Sequence, residues 1–258
     1  MDAGYLAQEA LGQNRAWILT HYDSEITKKN SDRYFSWIAR RQLGEPVQYL
    51  LSKAEFYGRE FVVRPGVLIP RPETEHLVEK ALALAKGFAS PRILDIGTGS
   101  GAIAVTMACE LPAEQVVAVD LSPAALEIAK QNAARLQAQI TFREGDLLDG
   151  IEDRFDLVLS NPPYIPDGDR AGLAVEVREH EPEMALFAGA DGLEIYRRLI
   201  PQAWQRLQPG GWLVMEIGWA QAEAIRSLLT AAGFAQVSFV ADLAGIERVA
   251  CAQKVANC

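Results

Sequence analysis

From residue 92 onward, short apolar runs alternate with stretches whose apolar positions recur every three or four residues. The runs fall at residues 92–96, 116–120, 140–142, 156–160 and 212–217. Helical patterns start at Ala102, run from Ser122-Pro123 to about Leu136, and cover residues 193–207 and 221–232. Runs of that length between helical stretches read as buried strands, and repeated βα units predict a mainly parallel sheet with helices on both faces. The last two runs, 236–240 and 248–252, have no helix between them. They predict an antiparallel pair at one end, which makes a seven-stranded α/β fold.

The first 50 residues are strand-poor. Tyr5, Leu6, Ala10 and Leu11 can share one helical face, and Trp17, Ile18 and His21 another. A third face holds Tyr34, Phe35, Ile38, Ala39 and Leu43, with Ser31-Asp32 as N-cap and Gly44 as stop. Residues 1–53 are therefore expected to form a small helical domain. Residues 54–72 predict a β-hairpin linker with its turn at Pro65-Gly66. The segment Pro70-Arg71-Pro72-Glu73-Thr74-Glu75 closes it and opens a helix to about Lys86, at the start of a third unit, 73–258. Arg71, held between two prolines, and Glu73 suit a surface charge and a helix-start carboxylate as well as they suit a lid.

Two stretches carry chemistry. Asp95-Ile96-Gly97-Thr98-Gly99-Ser100-Gly101 is strand, glycine turn, then helix, a geometry that lets a ligand approach the backbone closely. Asp120 lies 19 residues beyond Gly101, where its carboxylate can accept from the hydroxyls of a ribose. The G-x-G-x-G spacing differs from the dinucleotide pattern, and the acidic Asp95 would repel a pyrophosphate but attract an ammonium or sulfonium. The implied cofactor is S-adenosylmethionine. Asp146 would reach the adenine amine with Leu147 on the ring, although Gly145-Asp146 is also ordinary turn chemistry.

The second stretch is Ser160-Asn161-Pro162-Pro163-Tyr164. Consecutive prolines cannot continue a central strand, so the chain leaves the sheet here, at the carboxyl end where open α/β sheets bind ligands. A residue before proline is held extended, which aims the carbonyls stiffly. The Asn161 side-chain oxygen and the Pro162 carbonyl can grip one planar NH2 group, with Tyr164 as a flat apolar face. Gripping both N–H bonds would turn the nitrogen lone pair toward an incoming methyl. A glutamine or asparagine amide, or an adenine or cytosine amine, fits such a grip. Asn-Pro-Pro taken alone is also common turn chemistry.

Composition narrows the field. Of the residues, 49% are hydrophobic and 23% charged, and no apolar run approaches the length of a membrane span. The chain starts without a signal-peptide pattern. Cys109, Cys251 and Cys258 have no metal-ligand spacing. They read as reduced thiols of a cytoplasmic protein, with Cys109 and Cys251 as core fillers. No metal is assigned to them or to the scattered His21, His76 and His180. The net charge of -9 argues against non-specific nucleic-acid binding. Residues 1–72 hold 10 Lys and Arg against 8 Asp and Glu, and the remainder 15 against 26. The slight basic excess at the start suits partner docking or a solvated helical face equally.

Several segments together resemble one family. They are residues 45–54, residues 65–75, the Asp95–Gly101 loop and Asn161-Pro162-Pro163-Tyr164. Glu181-Pro182, Ala185-Leu186, Asp191-Gly192-Leu193, Glu216-Ile217-Gly218 and Asp242-Leu243-Ala244-Gly245 complete them. The chain resembles the peptide chain release factor N5-glutamine methyltransferases, the PrmC/HemK family, over nearly its whole length. The two loops are shared with DNA amino-methyltransferases; the Pro70–Glu75 segment is far more specific. The resemblance implies a Rossmann-like class I S-adenosylmethionine methyltransferase, monomeric, with a helical N-terminal docking domain. Its substrate would be the glutamine of the Gly-Gly-Gln loop of class-1 release factors, and its product S-adenosylhomocysteine. By matching positions, Gly97, Thr98, Gly99, Ser100, Gly101, Asp120, Leu121, Asp146, Leu147 and Asn161 would hold the cofactor. Asn161, Pro162, Pro163 and Tyr164 would hold the amide, and Arg71, Pro72, Glu73 and Thr74 would close the site. The family carries a further helix upstream of the stretch matching Asp2-Ala3, so the docking domain here is expected to be shortened or its start late. A DNA adenine N6-methyltransferase is the nearest rival; it would need a basic target-recognition region. A non-catalytic S-adenosylmethionine-binding scaffold is the other, and it has no need of paired NH2 acceptors.

Overall fold

The computed structural model describes residues 2–242 and 244–255; the expectations placed on Met1, Leu243 and Cys258 lie outside them. Helices α1 (Asp2–Leu11), α2 (Arg15–Thr20), α3 (Lys28–Gln42) and α4 (Val47–Leu51) come first. Strands β1 (Lys53–Phe56) and β2 (Arg59–Val62) follow, then α5 (Glu73–Ala85). The alternating part is β3 (Arg92–Ile96), α6 (Ala102–Glu110), β4 (Gln115–Asp120), α7 (Pro123–Arg135), β5 (Thr141–Glu144) and β6 (Phe155–Ser160). It continues through α8 (Val175–His180), α9 (Glu194–Arg206), β7 (Leu207–Glu216), α10 (Ala222–Ala231), β8 (Ala235–Ala241) and β9 (Glu247–Gln253).

The large sheet runs in the order β5-β4-β3-β6-β7-β9-β8. The first five strands are parallel, and β9 pairs antiparallel with both β7 and β8. This is the expected seven-stranded, mainly parallel sheet. Alternate side chains divide between two faces. Leu94, Ile96, Val117, Val119 and Met215 join Tyr196 and Leu199 of α9 and Ile225 of α10 in one core. Ile93, Val116, Ala118 and Val214 join Leu77 and Val78 of α5, Val105 of α6 and Phe56 and Phe61 of the hairpin in the other. Chain direction reverses its spread from β3, with β4 on one side and β6 on the other, so the crevice above those two carboxyl ends is open to a ligand.

Local expectations were corrected in four places. The hairpin turns at Tyr57-Gly58, with φ of 50° and 67°, and pairs Phe56 with Arg59. Two successive positive φ values are what a two-residue hairpin turn requires. Pro65-Gly66 makes a separate turn that carries Val67 into a small apolar cluster with Ala125 and Ile128 of α7, where the Tyr49 hydroxyl donates to its carbonyl at 2.6 Å. Helix α3 begins earlier than expected, because Thr27 accepts from the Asn30 N–H as N-cap. Cys251 is buried, but Cys109 is exposed, on the last turn of α6, beyond Met107 where the helix's buried residues end. The apolar faces of α1 to α3 bury only Leu6 and Ala10, and Leu19, Tyr22, Phe35 and Leu43 stay exposed. These helices meet as a thin cluster with ion pairs such as Arg41–Asp2 and Lys53–Glu9, in place of a filled bundle core.

One buried side chain ties three units together. Asn132 of α7 accepts from the Val62 N–H at 2.7 Å and donates to the Val62 and Ser100 carbonyls at 3.0 and 2.8 Å. The hairpin and the glycine turn are thereby held on the same helix. Replacing Asn132 with Ala should cost about 2 kcal/mol of folding stability, because backbone groups lose their partners. Urea unfolding measures it; a midpoint equal to that of the parent would contradict the assignment.

Candidate active site

Ile96 and Ser160 are register partners at the ends of β3 and β6, and the Ser160 hydroxyl donates to the Ile96 carbonyl at 2.8 Å. The glycine turn and the Asn-Pro-Pro-Tyr loop therefore leave the sheet side by side. Between them lies a cleft lined by Gly97, Thr98, Gly99, Ser100, Asp120, Leu121, Asp146, Leu147, Asn161, Pro162, Pro163 and Thr74. Gly66, Val67 and Pro70 line it from the linker, and Pro182, Met184 and Ala185 from the opposite rim.

Not every expected residue is there. Gly101 (φ 83°) lies under the turn, where an added Cβ would sit 3.1 Å from that of Ala129. Its lack of a side chain serves the seating of the turn on α7. Tyr164 stands behind the cleft wall, its hydroxyl donating to Glu216 Oε1 at 3.3 Å. Pro72 faces a separate groove beside the N-terminal helices. Glu73 is exposed in the first turn of α5. Arg71 holds the buried Glu181 at 2.6 Å, next to Pro182 on the rim. Of the Arg71 to Thr74 segment, Thr74 alone reaches the cleft.

The glycine turn is supported from below and above. Asp95 is fully buried; its Oδ2 accepts from the Thr98 hydroxyl at 2.6 Å and from the N–H of Ala104, the third residue of α6, at 3.2 Å. Gly101 has no side chain to cap that helix, so Asp95 does it from the strand. Burial pushes the Asp95 carboxyl up to about 7, against those two hydrogen bonds, and its Oδ1 has no partner among the described residues. Asp120 accepts from the Gly99 N–H at 2.8 Å and the Ser122 N–H at 2.9 Å, and burial raises its pKa as well. Asp146 lines the cleft while its Oδ2 accepts from Arg198 at 2.6 Å.

These features fit S-adenosylmethionine. Gly97 and Gly99 have φ of 69° and 55°, with open space where a Cβ would project, so the backbone offers a shallow cradle. Among the described residues, the cleft lining contains two carboxylates and no Lys, Arg or His. Such a lining suits a ligand carrying an ammonium and a sulfonium and would repel a polyphosphate.

Sequence reasoning missed Gln221 and Glu216 as the groups that hold the second loop. Gln221 donates to the Tyr164 and Gly192 carbonyls and accepts from the Gly218 N–H. Thr74, Glu216, Tyr164 and Asn161 form one hydrogen-bonded chain. Only the resemblance had drawn notice to the Glu216-Ile217-Gly218 and Asp191-Gly192-Leu193 segments.

A seven-stranded sheet of this order with a glycine turn after β3 and an acidic, cation-free cleft defines a class I methyltransferase. Family models agree: the Methyltransferase small domain matches residues 74–178 and the PrmC N-terminal domain residues 1–51. Among solved structures, a methyltransferase from Pyrococcus furiosus has a TM-score of 0.57 at 18% identity, covering 89% of this chain and 100% of that one. A ribosomal protein L11 methylase from Lactobacillus delbrueckii subsp. bulgaricus has 0.53 at 22%, covering 78% and 88%. Both show the fold. The release factor glutamine methyltransferase of Koribacter versatilis is 46% identical over 256 residues, 98% of this chain and 91% of its own. That of Bordetella pertussis is 47% identical over 251 residues, 96% and 93% respectively. The chain belongs to the release factor glutamine methyltransferase family, and it is an S-adenosylmethionine-dependent methyltransferase.

Gly192 tests the loop's support. It has φ of 71°, and an added Cβ would lie 2.3 Å from the Tyr164 carbonyl oxygen. Gly192→Ala should therefore shift the Asn-Pro-Pro-Tyr loop and lower kcat roughly tenfold or more, since misplacement by about 1 Å can cost on the order of a hundredfold. Cofactor affinity, measured by calorimetry, should change much less. Parent-like turnover would show that the loop tolerates displacement.

Proposed function

We propose that this protein methylates the side-chain amide nitrogen of the glutamine in the Gly-Gly-Gln loop of class-1 peptide chain release factors. The observation that carries this reading is the placing of Asn161 and Pro162 on the wall of the same acidic cleft as the glycine turn. The names of its relatives support the release factor as substrate. The proposed division is a docking domain at 1–53, a linker at 54–72 and a methyltransferase domain from 73. The extents of the two family models and the hairpin of β1 and β2 support it. The proposal includes a monomer acting in the cytoplasm, and the net charge of -9 supports the absence of direct nucleic-acid binding. Among the described residues no helix is long and apolar enough to cross a membrane.

Bound S-adenosylmethionine supplies an electrophilic methyl on a sulfonium sulfur, and transfer leaves S-adenosylhomocysteine, the methylated amide and a proton. Asp120 is assigned the ribose hydroxyls and Asp146 the adenine amine, with Leu121 and Leu147 as apolar walls. Gly97, Thr98, Gly99 and Ser100 make the floor. The Asn161 Oδ1 and the Pro162 carbonyl accept the two N–H bonds of the substrate amide. An amide nitrogen is a poor nucleophile because its lone pair is delocalised. Fixing both N–H bonds sets the plane of the amide and so aims the lone pair, which stands normal to that plane, in line with the methyl, and positioning of this kind contributes on the order of 7–11 kcal/mol. No side-chain base is needed, because the methylated nitrogen loses its proton readily to water.

The decisive experiment gives the purified protein S-adenosylmethionine with a release factor, a free Gly-Gly-Gln peptide or duplex DNA. Mass spectrometry should find one methyl on that glutamine, formed faster on the folded factor. Methyl on DNA adenine alone would pass the case to an adenine methyltransferase, and cofactor binding without product would indicate a scaffold.

Two variants separate the roles. Asn161→Ala should lower kcat by on the order of a hundredfold, as loss of one preorganised polar contact typically does, with cofactor affinity changed far less. Asp120→Ala should raise the cofactor Kd by roughly tenfold to a hundredfold, the worth of hydrogen bonds to a charged group. An unchanged Kd would refute the ribose assignment.

A further inference from the structure

An asparagine amide has two ends of nearly equal size. The proposed grip works only if the oxygen end faces the substrate NH2. With the amide reversed, two NH2 groups would oppose each other, so something in the protein must fix the orientation.

The chain of hydrogen bonds behind the cleft does this. Thr74 Oγ1 lies 2.6 Å from Glu216 Oε2 and 3.1 Å from Asn161 Nδ2. Thr74 has a single hydroxyl proton. An ionised carboxylate only accepts, so the proton points to Glu216. The Thr74 oxygen is left with lone pairs toward Asn161, and only the Nδ2 end can satisfy them. The Oδ1 end is thereby directed the other way. The second Glu216 oxygen accepts from the Tyr164 hydroxyl, which burial keeps protonated, and the Tyr196 hydroxyl donates to the Glu216 backbone carbonyl at 2.8 Å. Thr74 and Glu216 are 4% and 2% exposed, so water does not substitute for either.

We propose that Thr74 and Glu216 are positioning residues whose hydrogen-bond polarity fixes the Asn161 amide with its oxygen toward the substrate. This rests on the reading of Asn161 as the group that holds the substrate amide. Neither residue touches the reacting atoms; both act through Asn161.

The polarity holds only while Glu216 is ionised. The groups that bear on it are Thr74 and Glu73 from α5, Tyr164 from the loop, Tyr196 from α9 and Arg248 from β9. Among the described residues it has no ion-pair partner. Burial pushes its carboxyl up to about 7; Glu73 adds to the rise, while Thr74, Tyr164 and Arg248 oppose it. As pH falls through that value, Glu216 gains a proton and can itself donate to Thr74. The Thr74 proton is then free to turn to Asn161, and the amide can reverse. Activity should fall on the acid side.

The test measures kcat, cofactor Kd and the kcat–pH profile for the full chain with a release factor. Thr74→Val, close in volume but without the hydroxyl, should lower kcat tenfold to a hundredfold with Kd within about threefold. Thr74→Ser should restore kcat to within threefold of the parent. The parent should lose kcat as pH drops through about 7, and Glu216→Gln, which cannot titrate, should lack that limb and show a reduced plateau. Calorimetric cofactor binding verifies that each variant is folded. If Thr74→Val keeps parent kcat while Asn161→Ala does not, the orientation role falls and the grip stands. If Asn161→Ala also keeps it, the grip falls too. A Thr74→Ser variant as slow as Thr74→Val, or an acid limb that survives in Glu216→Gln, would also overturn the proposal.

Discussion

The parallel pairing of β3 with β6 is the constraint on which the site depends. It places Ile96 opposite Ser160, so the glycine turn and the Asn-Pro-Pro-Tyr loop start from adjacent strand ends. Neither loop could build the cleft alone. The turn provides approachable backbone and has no acceptor aimed at an amine. The loop provides acceptors and has no cradle. Sheet topology joins them, because the chain's first crossover from β3 goes one way and β6 is laid on the other side.

Around that junction the structure keeps two carboxylates in places where burial alone would exclude them. Asp95 and Glu216 lie at the ends of β3 and β7, almost without solvent exposure, and no ion pair among the described residues includes either. Taking such a group out of water is costly unless donors replace the water. Asp95 receives Thr98 and the Ala104 N–H, and Glu216 receives Thr74 and Tyr164. In each case the donors belong to functional loops or to the helices that seat them. The unfavourable burial is thus tied to loop geometry: if a loop moves, its carboxylate loses the donors that make burial tolerable. This links the stability of each strand end to the shape of the cleft above it.

The strands and both loops were legible because their signals are local. A run such as residues 156–160 followed by Asn-Pro-Pro names a strand and its exit within a few positions. What stayed hidden depended on contacts across the chain or on unusual backbone. Thr74 and Glu216 are 142 residues apart, and nothing in either neighbourhood points to the other. Asn132 reads as one more polar residue of an amphipathic helix, yet it joins the hairpin to the glycine turn. The hairpin turn was misplaced because a tyrosine at positive φ is uncommon, whereas Pro-Gly is an ordinary turn signal. Gly101 belongs to the glycine motif by spacing, but its task is to admit Ala129.

The charge distribution completes the physical account. The cleft wall is acidic, and the nearby cations are each held by a carboxylate: Arg198 by Asp146 of the wall, Arg71 by Glu181, and Arg248 by Asp242. A free guanidinium in the cleft would oppose a sulfonium and, under the proposed roles of Asn161 and Pro162, compete for the acceptors of the substrate amide. With each of them held by a carboxylate, no free guanidinium among the described residues faces the Asn161 side chain or the Pro162 carbonyl in the lining. The same arrangement suits a neutral asparagine at 161 better than an aspartate. A carboxylate in its place would accept as well, but it would add charge to a lining that already holds Asp120, and having no donor end it would leave the Thr74 oxygen without that donor. In the proposed orientation the amide's two unlike ends are both used, one for the substrate and the other, Nδ2, for the Thr74 oxygen that orients it.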